Sequence, residues 1–263
     1  MKKAYLGMDI GSISTKGVVI DQKNNILASD YLWTEGDPIG AAKRVVASLK
    51  KQFDSQNFEV VSVGTTGSAR RLVGAALGAS MVKNEITAHA VGTLALYPSV
   101  RTIFEIGGQD SKAIHLNEKG DVTDFVMNDK CAAGTGRFLE MMARTLEVDI
   151  SELGPLSLKS TENIEISSMC SVFAESEVIS LIARNKETSD IAHGIHMAIA
   201  AKAISLMRRV GLEPRFMMTG GVAKNPGVVK VLEEQLKAPL FISEEPEIVG
   251  ALGAALYGLE NIL

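Results

Sequence analysis

Two segments of the chain repeat one pattern of acid, glycine, hydroxyl and lysine. The first runs from Asp9 to Lys16 and the second from Glu105 to Lys112, an offset of 96 residues (105 − 9) without a gap. Each segment joins two β-like runs, so its glycines lie in the turn of a hairpin. Such a turn directs backbone N–H groups and hydroxyls at one small volume, which a phosphate group requires. A single glycine hairpin is common, but the coincidence of all four residue types indicates an internal duplication.

The charged residues of these segments suit the metal and the phosphates of a nucleotide. Asp9 and Asp110 could hold Mg²⁺, which prefers oxygen ligands. Either Lys16 or Lys112 could offset phosphate charge. The predicted catalytic residues are Asp9, Gln109 and Asp110, and the sequence leaves open whether Gln109 or Asp110 orients the attacking water.

A third glycine turn, residues 218–226, follows a predicted strand and opens a helix. Small residues there would let the adenosine of a nucleotide approach the backbone. The residues predicted to contact the nucleotide are therefore Gly11, Ser12, Ile13, Ser14, Thr15, Lys16, Gly107, Gly108, Gln109, Gly134, Gly136, Gly220, Gly221 and Asn225.

The chain has only two cysteines, which excludes a disulfide framework and a four-thiolate site within one chain. Cys131 and Cys170 each precede a predicted helix, where the helix dipole and the N–H groups favour the thiolate. Both could instead be small core residues. In a two-fold homodimer, however, they would supply the four thiolates of a 4Fe–4S cluster.

Short β-like runs alternate with helical patterns, which predicts an α/β protein. The predicted domains are residues 1–98 with 247–263, and residues 99–246. Strands are predicted at 4–9, 16–21, 26–32, 60–65, 102–106, 111–116, 122–127, 215–219 and 240–242. Helices are predicted at 38–53, 69–77, 85–96, 134–146, 171–183, 189–210, 226–235 and 247–259.

Composition narrows the class of protein. Apolar residues make up 46% and charged residues 22%, as in soluble globular proteins. The net charge of −4 argues against a nucleic-acid partner, which would need a basic surface. No apolar run reaches the roughly 20 residues of a membrane span, and Asp9 comes too early for a secretory leader. We therefore expect a cytoplasmic protein.

In this order, the two hairpins, the turn at 217–225 and the segment Gly250–Ala255 resemble the phosphate, adenosine and closing-helix motifs of the actin-like, sugar kinase and chaperone ATPases. The resemblance covers nearly the whole chain. It implies duplicated ribonuclease-H-like domains with a nucleotide cleft between them. Segments 106–112, 129–138 and 169–177 resemble one branch closely: the activator ATPases of 2-hydroxyacyl-CoA dehydratases and the related ATP-binding subunits of benzoyl-CoA reductase.

The resemblance to this branch implies a homodimer with one 4Fe–4S cluster, held by Cys131 and Cys170 of each subunit. It implies ATP or ADP and Mg²⁺ as further cofactors, and reduced ferredoxin or flavodoxin as electron donor. The partner would be a 2-hydroxyacyl-CoA dehydratase or a related low-potential iron–sulfur reductase. Lowering the reduction potential of a one-electron donor costs about 1.4 kcal/mol for each 59 mV. ATP turnover would have to supply this energy.

Two other functions fit parts of the sequence. A small-molecule (sugar or acid) kinase of the same superfamily, without a cluster, would need a substrate pocket with a base near the terminal phosphate. The chain lacks the inserts that would form one. A scaffold ATPase would give the cysteines no role.

For some residues the sequence allows two roles. The turn Gly64–Arg70 could face the nucleotide or only connect two elements, and His89 could lie near the nucleotide or only pack. His193 and His196 could chelate a metal, but histidines at or partly below the surface are the simpler expectation, because no carboxylate or cysteine at matching spacing lies nearby.

Overall fold

The computed structural model describes residues 1–53, 58–166 and 170–260, so Met169, one residue of the family-like segment 169–177, lies outside the described part. Along the chain the elements are β1 (Lys2–Ile10), β2 (Ser14–Asp21), β3 (Ile26–Trp33), α1 (Pro38–Phe53), β4 (Phe58–Thr66), α2 (Arg70–Leu77), β5 (Met81–Val82), α3 (Glu85–Leu96), β6 (Thr102–Ile106), β7 (Ser111–Leu116), β8 (Val122–Asn128), α4 (Gly136–Thr145), α5 (Ile150–Ser157), α6 (Ser171–Ala183), α7 (Thr188–Val210), β9 (Phe216–Thr219), α8 (Pro226–Leu236), β10 (Leu240–Phe241) and α9 (Val249–Glu260).

The chain divides into two compact units. Unit 1 comprises Met1–Ser99, Lys119–Val122 and Glu247–Leu263, and unit 2 comprises Val100–Glu118 and Thr123–Pro246. In the described part of the chain, no helix has both the length and the apolar character needed to cross a lipid bilayer.

Unit 1 is built on a mixed sheet with the strand order β3-β2-β1-β4-β5. Strands β1 to β3 form an antiparallel meander, and β4 pairs parallel with both β1 and β5. Helix α1 packs on this sheet through Val45 and Leu49, which are fully buried because the apolar residues of α1 recur at helical spacing.

Helix α9 contacts β1 and β4 at backbone distance. A Cβ on Gly7 or on Gly64 would lie 2.0 Å from the carbonyl oxygen of Ala251 or Ala254, respectively. No side chain fits in that space, so the two glycines set how closely α9 approaches the sheet.

Unit 2 has a sheet of the same design. Its strand order is β10-β9-β6-β7-β8, with β6 and β7 antiparallel and β9 parallel to both β6 and β10. Read from β8 to β10, it repeats the meander and the two parallel strands of unit 1. The prediction of a duplicated α/β fold is therefore confirmed.

Helices α4, α5, α7 and α8 enclose the core of unit 2, and the apolar residues of α4 that face it include Phe138, Leu139 and Met142. Among the α-helices and strands of the described residues, the helix α5 and the two-residue strand β5 were not predicted from the sequence. The helix α5 begins at the N-cap Asp149 and continues through Pro155, although a Gly–Pro pair normally ends a helix.

Candidate functional site

In unit 1 the carboxylate of Asp9 lies at the end of the central strand β1, between two glycines. A Cβ on Gly67 would lie 2.6 Å from Oδ1 of Asp9, and a Cβ on Gly250 would lie 3.1 Å from Oδ2. The same Gly250 position is 3.0 Å from Nε2 of His89, so the imidazole and the acid both lie beside this glycine. The turn that contains Gly67 thus borders Asp9 and is more than a connection.

Lys16 is the cation of this group. It lies opposite Asp9 in the β1–β2 pairing, and its Nζ is 3.5 Å from Oδ2 of Asp9. A Cβ on Gly11 would lie 3.8 Å from the same Nζ, so the ammonium lies beside the glycine turn. The structure therefore brings Asp9, Gly11 and Lys16 together, as predicted.

Thr34, which the sequence did not single out, fixes this turn. Its backbone N–H donates to the carbonyl of Ile13 at 2.8 Å, and its hydroxyl donates to the carbonyl of Gly11 at 2.8 Å. The hydroxyl of Thr15 is 3.0 Å from that of Thr34 and is fully buried. Thr15 therefore supports the turn from its buried side, whereas Ser12 is exposed at the tip of the turn.

In unit 2 the corresponding acid is Glu105, which is buried at the end of β6. A Cβ on Gly107 would lie 2.9 Å from Oε1 of Glu105, and a Cβ on Gly220 would lie 3.0 Å from it. Glu105 lies opposite Lys112 on β7 and Thr219 on β9. In unit 1, Asp9 has Lys16 and Thr66 at the same two positions.

The duplication thus extends beyond the hairpins. In both units a Thr–Gly pair ends the parallel strand beside the acid, as Thr66-Gly67 and as Thr219-Gly220. The two glycines have φ values of +88° and +85°. Glu105 was not among the site residues predicted from the sequence, whereas Gly67 lies in the turn that was left open as a nucleotide neighbour.

Asp110 is held by Lys112 and not by the turn alone. Nζ of Lys112 lies 2.9 Å from Oδ1 of Asp110 and 2.7 Å from Oε2 of Glu105. The carboxylate of Asp110 is about one-third exposed, and Gln109 next to it is exposed. Of the two lysines that could have met phosphate, the geometry favours Lys16.

In the third glycine turn, the backbone of Gly221 is accessible, whereas Asn225 has a structural role. A Cβ on Gly221 would meet no atom within 4 Å, so a ligand could approach this backbone. Asn225 is the N-cap of α8, and its Oδ1 accepts from Gly227 N at 2.9 Å and from Val228 N at 3.1 Å. These two bonds use the amide oxygen of Asn225 and not its amide nitrogen.

The N-terminus of α4 is bonded to the second glycine turn. Gly136 N and Arg137 N donate to the carbonyls of Gly107 and Gly108, both at 2.9 Å. Gly134 packs against Lys202 with a φ of +86°, which explains its glycine without a ligand. Since that conformation is not helical, α4 begins at Gly136 and not at residue 134 as predicted.

Cys131 therefore lies five residues before α4 (136 − 131), and the expectation that it sits at the helix N-terminus was wrong. Nδ2 of Asn128 holds its loop by donating to the carbonyls of Cys131 at 3.0 Å and Ala133 at 3.1 Å. The residue is partly exposed and forms no disulfide.

Cys170 is the N-cap of α6, as predicted, and its side chain makes no capping hydrogen bond. It is also partly exposed and without a disulfide. The helix that follows has few buried residues and several exposed apolar ones, namely Val172 (61%), Phe173 (64%), Ile179 (54%) and Ile182 (42%).

His193 is partly exposed, as expected, but His196 is fully buried on α7 beside Gly227, which differs from the expectation of a histidine at or partly below the surface. Burial of its ring lowers the pKa of His196 to about 4. Contacts with the Ala192 backbone and the Asn225 side chain offset only part of this shift. In the described residues, no group of three or more His, Cys, Asp and Glu side chains is arranged to hold a metal ion.

The family model of the BadF/BadG/BcrA/BcrD ATPases matches residues 6–258. The chain belongs to this family. It is 42% identical over 258 residues to the activator of lactoyl-CoA dehydratase from Anaerotignum propionicum, which covers 97% of both chains.

Two solved structures resemble this protein along nearly its whole length. One is the Acidaminococcus fermentans (R)-2-hydroxyglutaryl-CoA dehydratase component A, with 39% identity, a TM-score of 0.92 and 98% of both chains covered. The other is the activator of the 2-hydroxyisocaproyl-CoA dehydratase from Clostridium difficile with bound ADPNP, with 39% identity, a TM-score of 0.90 and coverage of 98% of this chain and 95% of that one. The predicted family, the two-domain actin-like fold and the ATPase activity are confirmed.

Proposed function

We propose that this ATPase is an activator that donates single electrons to a partner iron–sulfur enzyme, a 2-hydroxyacyl-CoA dehydratase or a related low-potential reductase. It acts as a cytoplasmic homodimer, in which Cys131 and Cys170 of both subunits hold one 4Fe–4S cluster. Reduced ferredoxin or flavodoxin supplies the electron. The observation that carries the proposal is that α4 joins both cysteine segments of unit 2 to the Gly107 turn, in a chain whose relatives are named dehydratase activators.

The nucleotide half of the proposal rests on the duplicated turns. Lys16 offsets phosphate charge beside Gly11, while Asp9 and Asp110 serve Mg²⁺. The adenosine lies at the open backbone of Gly221. The remaining nucleotide contacts are those predicted from the sequence at Ser12, Ile13, Ser14, Gly107, Gly108, Gln109, Gly136, Gly220 and Asn225. Thr15 and Gly134, which were also predicted, are buried and have a structural role instead.

The cluster half rests on the chemistry of the two thiols. Both are partly exposed and outside disulfides, so they can reach iron as thiolates. A 4Fe–4S cluster takes four thiolates, which two copies of this chain provide. When bound, the cluster stores and passes one electron. The exposed apolar side chains of α6, whose N-cap is Cys170, support a protein contact at this helix, as the homodimer requires.

The chain's own residues couple the two halves. Gly136 and Arg137 join α4 to the carbonyls of the Gly107 turn, and Asn128 holds the Cys131 loop that leads into α4. At the other end of α4, Thr145 Oγ1 donates to Glu175 Oε1 of α6 at 3.3 Å. A shift of the turn on nucleotide binding would therefore be passed to the elements that carry both thiols.

The proposal is tested by anaerobic purification. We expect a brown dimer with about four irons per dimer. Replacing Cys131 or Cys170 with serine, which keeps the size and polarity of the side chain, should remove the iron and the activation of a dehydratase. ADPNP affinity should stay within about twofold, because neither thiol lies in a glycine turn.

Two outcomes would contradict the proposal. An iron-free monomer from strictly anaerobic material would remove the shared cluster. Iron retained by both serine variants would show that other residues bind it. A colourless protein that phosphorylates a sugar or an acid would favour the kinase alternative instead.

A further inference from the structure

The two duplicated lysines differ in the surroundings of their ammonium groups. Lys16 is 16% exposed and lies 3.5 Å from one carboxylate, Asp9. Lys112 is 2% exposed and lies within 2.9 Å of two carboxylates, those of Glu105 and Asp110. A buried ammonium with two short ion pairs is already neutralised, so it has little attraction left for a phosphate.

Gly107 lies between the same two carboxylates. A Cβ there would be 2.8 Å from Oδ1 of Asp110 and 2.9 Å from Oε1 of Glu105. Two like charges this close repel each other unless a cation lies with them. Lys112 is that cation, and removing it would leave Asp110 without the contact that fixes its position.

We infer that Lys112 is a positioning residue of the ATPase. It holds Asp110 against Glu105 at the second glycine turn and makes no contact with phosphate itself. The inference rests on the proposed function, which gives Asp110 its role at the nucleotide. Lys16 has the opposite task, because its ammonium lies beside a glycine turn and its ion pair with Asp9, the one found for it among the described residues, is longer.

The two lysines make a matched pair for the test, Lys112→Met and Lys16→Met. ATPase rates are measured with Mg²⁺, and the calorimetric Kd of ADPNP is measured without Mg²⁺, because Asp110 is also proposed to serve the metal. For Lys112→Met we expect kcat to fall by about tenfold or more while the Kd stays within about twofold, since a misplaced catalytic group affects turnover more than binding. For Lys16→Met we expect the Kd to rise by about tenfold or more, because a phosphate partner is lost.

Two results would overturn the inference. One is a Kd for Lys112→Met that rises as much as for Lys16→Met, since Lys112 would then bind phosphate. The other is a folded Lys112→Met with unchanged kcat.

A second comparison applies if Lys112→Met does not fold. The double variant Lys112→Met/Glu105→Gln restores the charge balance and is compared with Glu105→Gln alone. We expect the double variant to have a kcat about tenfold lower at equal Kd, and equal kcat values would refute positioning. Iron content and dehydratase activation test the proposed function separately, because an iron-free protein could still show this contrast.

Discussion

Gly67 of unit 1 and Gly220 of unit 2 have nearly the same backbone conformation, and each lies against the isoleucine that ends the central strand of its unit. Their φ values are +88° and +85°, and a Cβ would lie 2.5 Å from the carbonyl oxygen of Ile10 in one case and 2.3 Å from that of Ile106 in the other. Each glycine therefore lets the end of a parallel strand pass directly beside the acid of its unit.

Gly220→Ala should destabilise unit 2 more than a left-handed backbone alone explains. Gly78 is the control, because it has a φ of +65° and no atom within 4 Å of a Cβ. We expect Gly78→Ala to cost about 1 kcal/mol for the backbone conformation, and Gly220→Ala about 3 kcal/mol or more because of the added clash with Ile106. Urea unfolding measures both, and equal costs would show that the strand end moves freely.

Much of the fold could be predicted from the sequence, because local signals fix it. Helices α1, α3 and α6 have the predicted bounds, helped by Asp37-Pro38 at the start of α1 and by the N-cap Asn84 of α3. The helix α5 was missed because its Gly154-Pro155 pair is typical of a helix end. Strand β5 is too short to give a periodic pattern.

The candidate site was less predictable than the fold, because several of its features depend on contacts between residues that are distant in the sequence. Glu105 aligned with Asp9 in the sequence, but only the pairing of β6 with β9 shows that it meets a second Thr–Gly pair. The different burial of Lys16 and Lys112 has no counterpart in their similar segments. The start of α4 at Gly136 likewise depends on carbonyls of a distant turn.

His196 should make the protein less stable in mild acid. Its ring is buried and its pKa is lowered to about 4, against 6.5 for an exposed histidine. Between these values the unfolded chain takes up a proton that the folded chain does not, so the free energy of unfolding falls as the pH falls through this window. The expected loss from pH 7 to pH 5 is about 2 kcal/mol.

Urea unfolding at both pH values checks this effect against His196→Gln, which should lose that part of the pH dependence. His193→Gln, a change at a partly exposed position on the same helix, should keep most of it, because burial and not the charge of His193 is the main cause of the lowered pKa of His196. An unchanged pH dependence in His196→Gln would rule out His196 as its source.

Asp190 should hold the segment that leads to Cys170. Its Oδ1 accepts from Ser160 Oγ at 2.8 Å, Thr161 N at 2.7 Å and Glu162 N at 2.9 Å, and the backbone bonds lower its pKa. Asp190→Ala would leave these donors without their acceptor, so we expect amide exchange in residues 160–166 to rise by about tenfold or more.

The control for Asp190 is Asp149→Ala, which removes the N-cap of α5. It should speed exchange in α5 while leaving residues 160–162 protected. If the proposed cluster is present, chelators should also remove its iron faster from Asp190→Ala than from this control. Equal exchange of residues 160–166 in the two variants would show that Asp190 does not hold the segment.

The loop of Cys131 can be tested with two asparagines, one of which bonds through its amide nitrogen and the other through its amide oxygen. Asn128 uses its nitrogen, which donates to the carbonyls of Cys131 and Ala133, whereas Asn84 uses its oxygen, which accepts from Thr87 N at 2.9 Å. An Asn→Asp change keeps the oxygen and replaces the donor with a second acceptor. Asn128→Asp should therefore set a carboxylate against two carbonyls and cost about 2 kcal/mol, whereas Asn84→Asp should cost nothing, because aspartate caps a helix as well as asparagine.

The same two variants should differ in the rate at which they release iron to a chelator, because the Asn128 amide ties Cys131 to the start of α4. We expect Asn128→Asp to lose iron several-fold faster than the parent protein, and Asn84→Asp to lose it at the parent rate. ADPNP affinity should be unchanged in both variants, since neither residue lies in a glycine turn. If Asn128→Asp released iron at the parent rate despite its lower stability, the loop order that Asn128 provides would be unnecessary for holding the cluster.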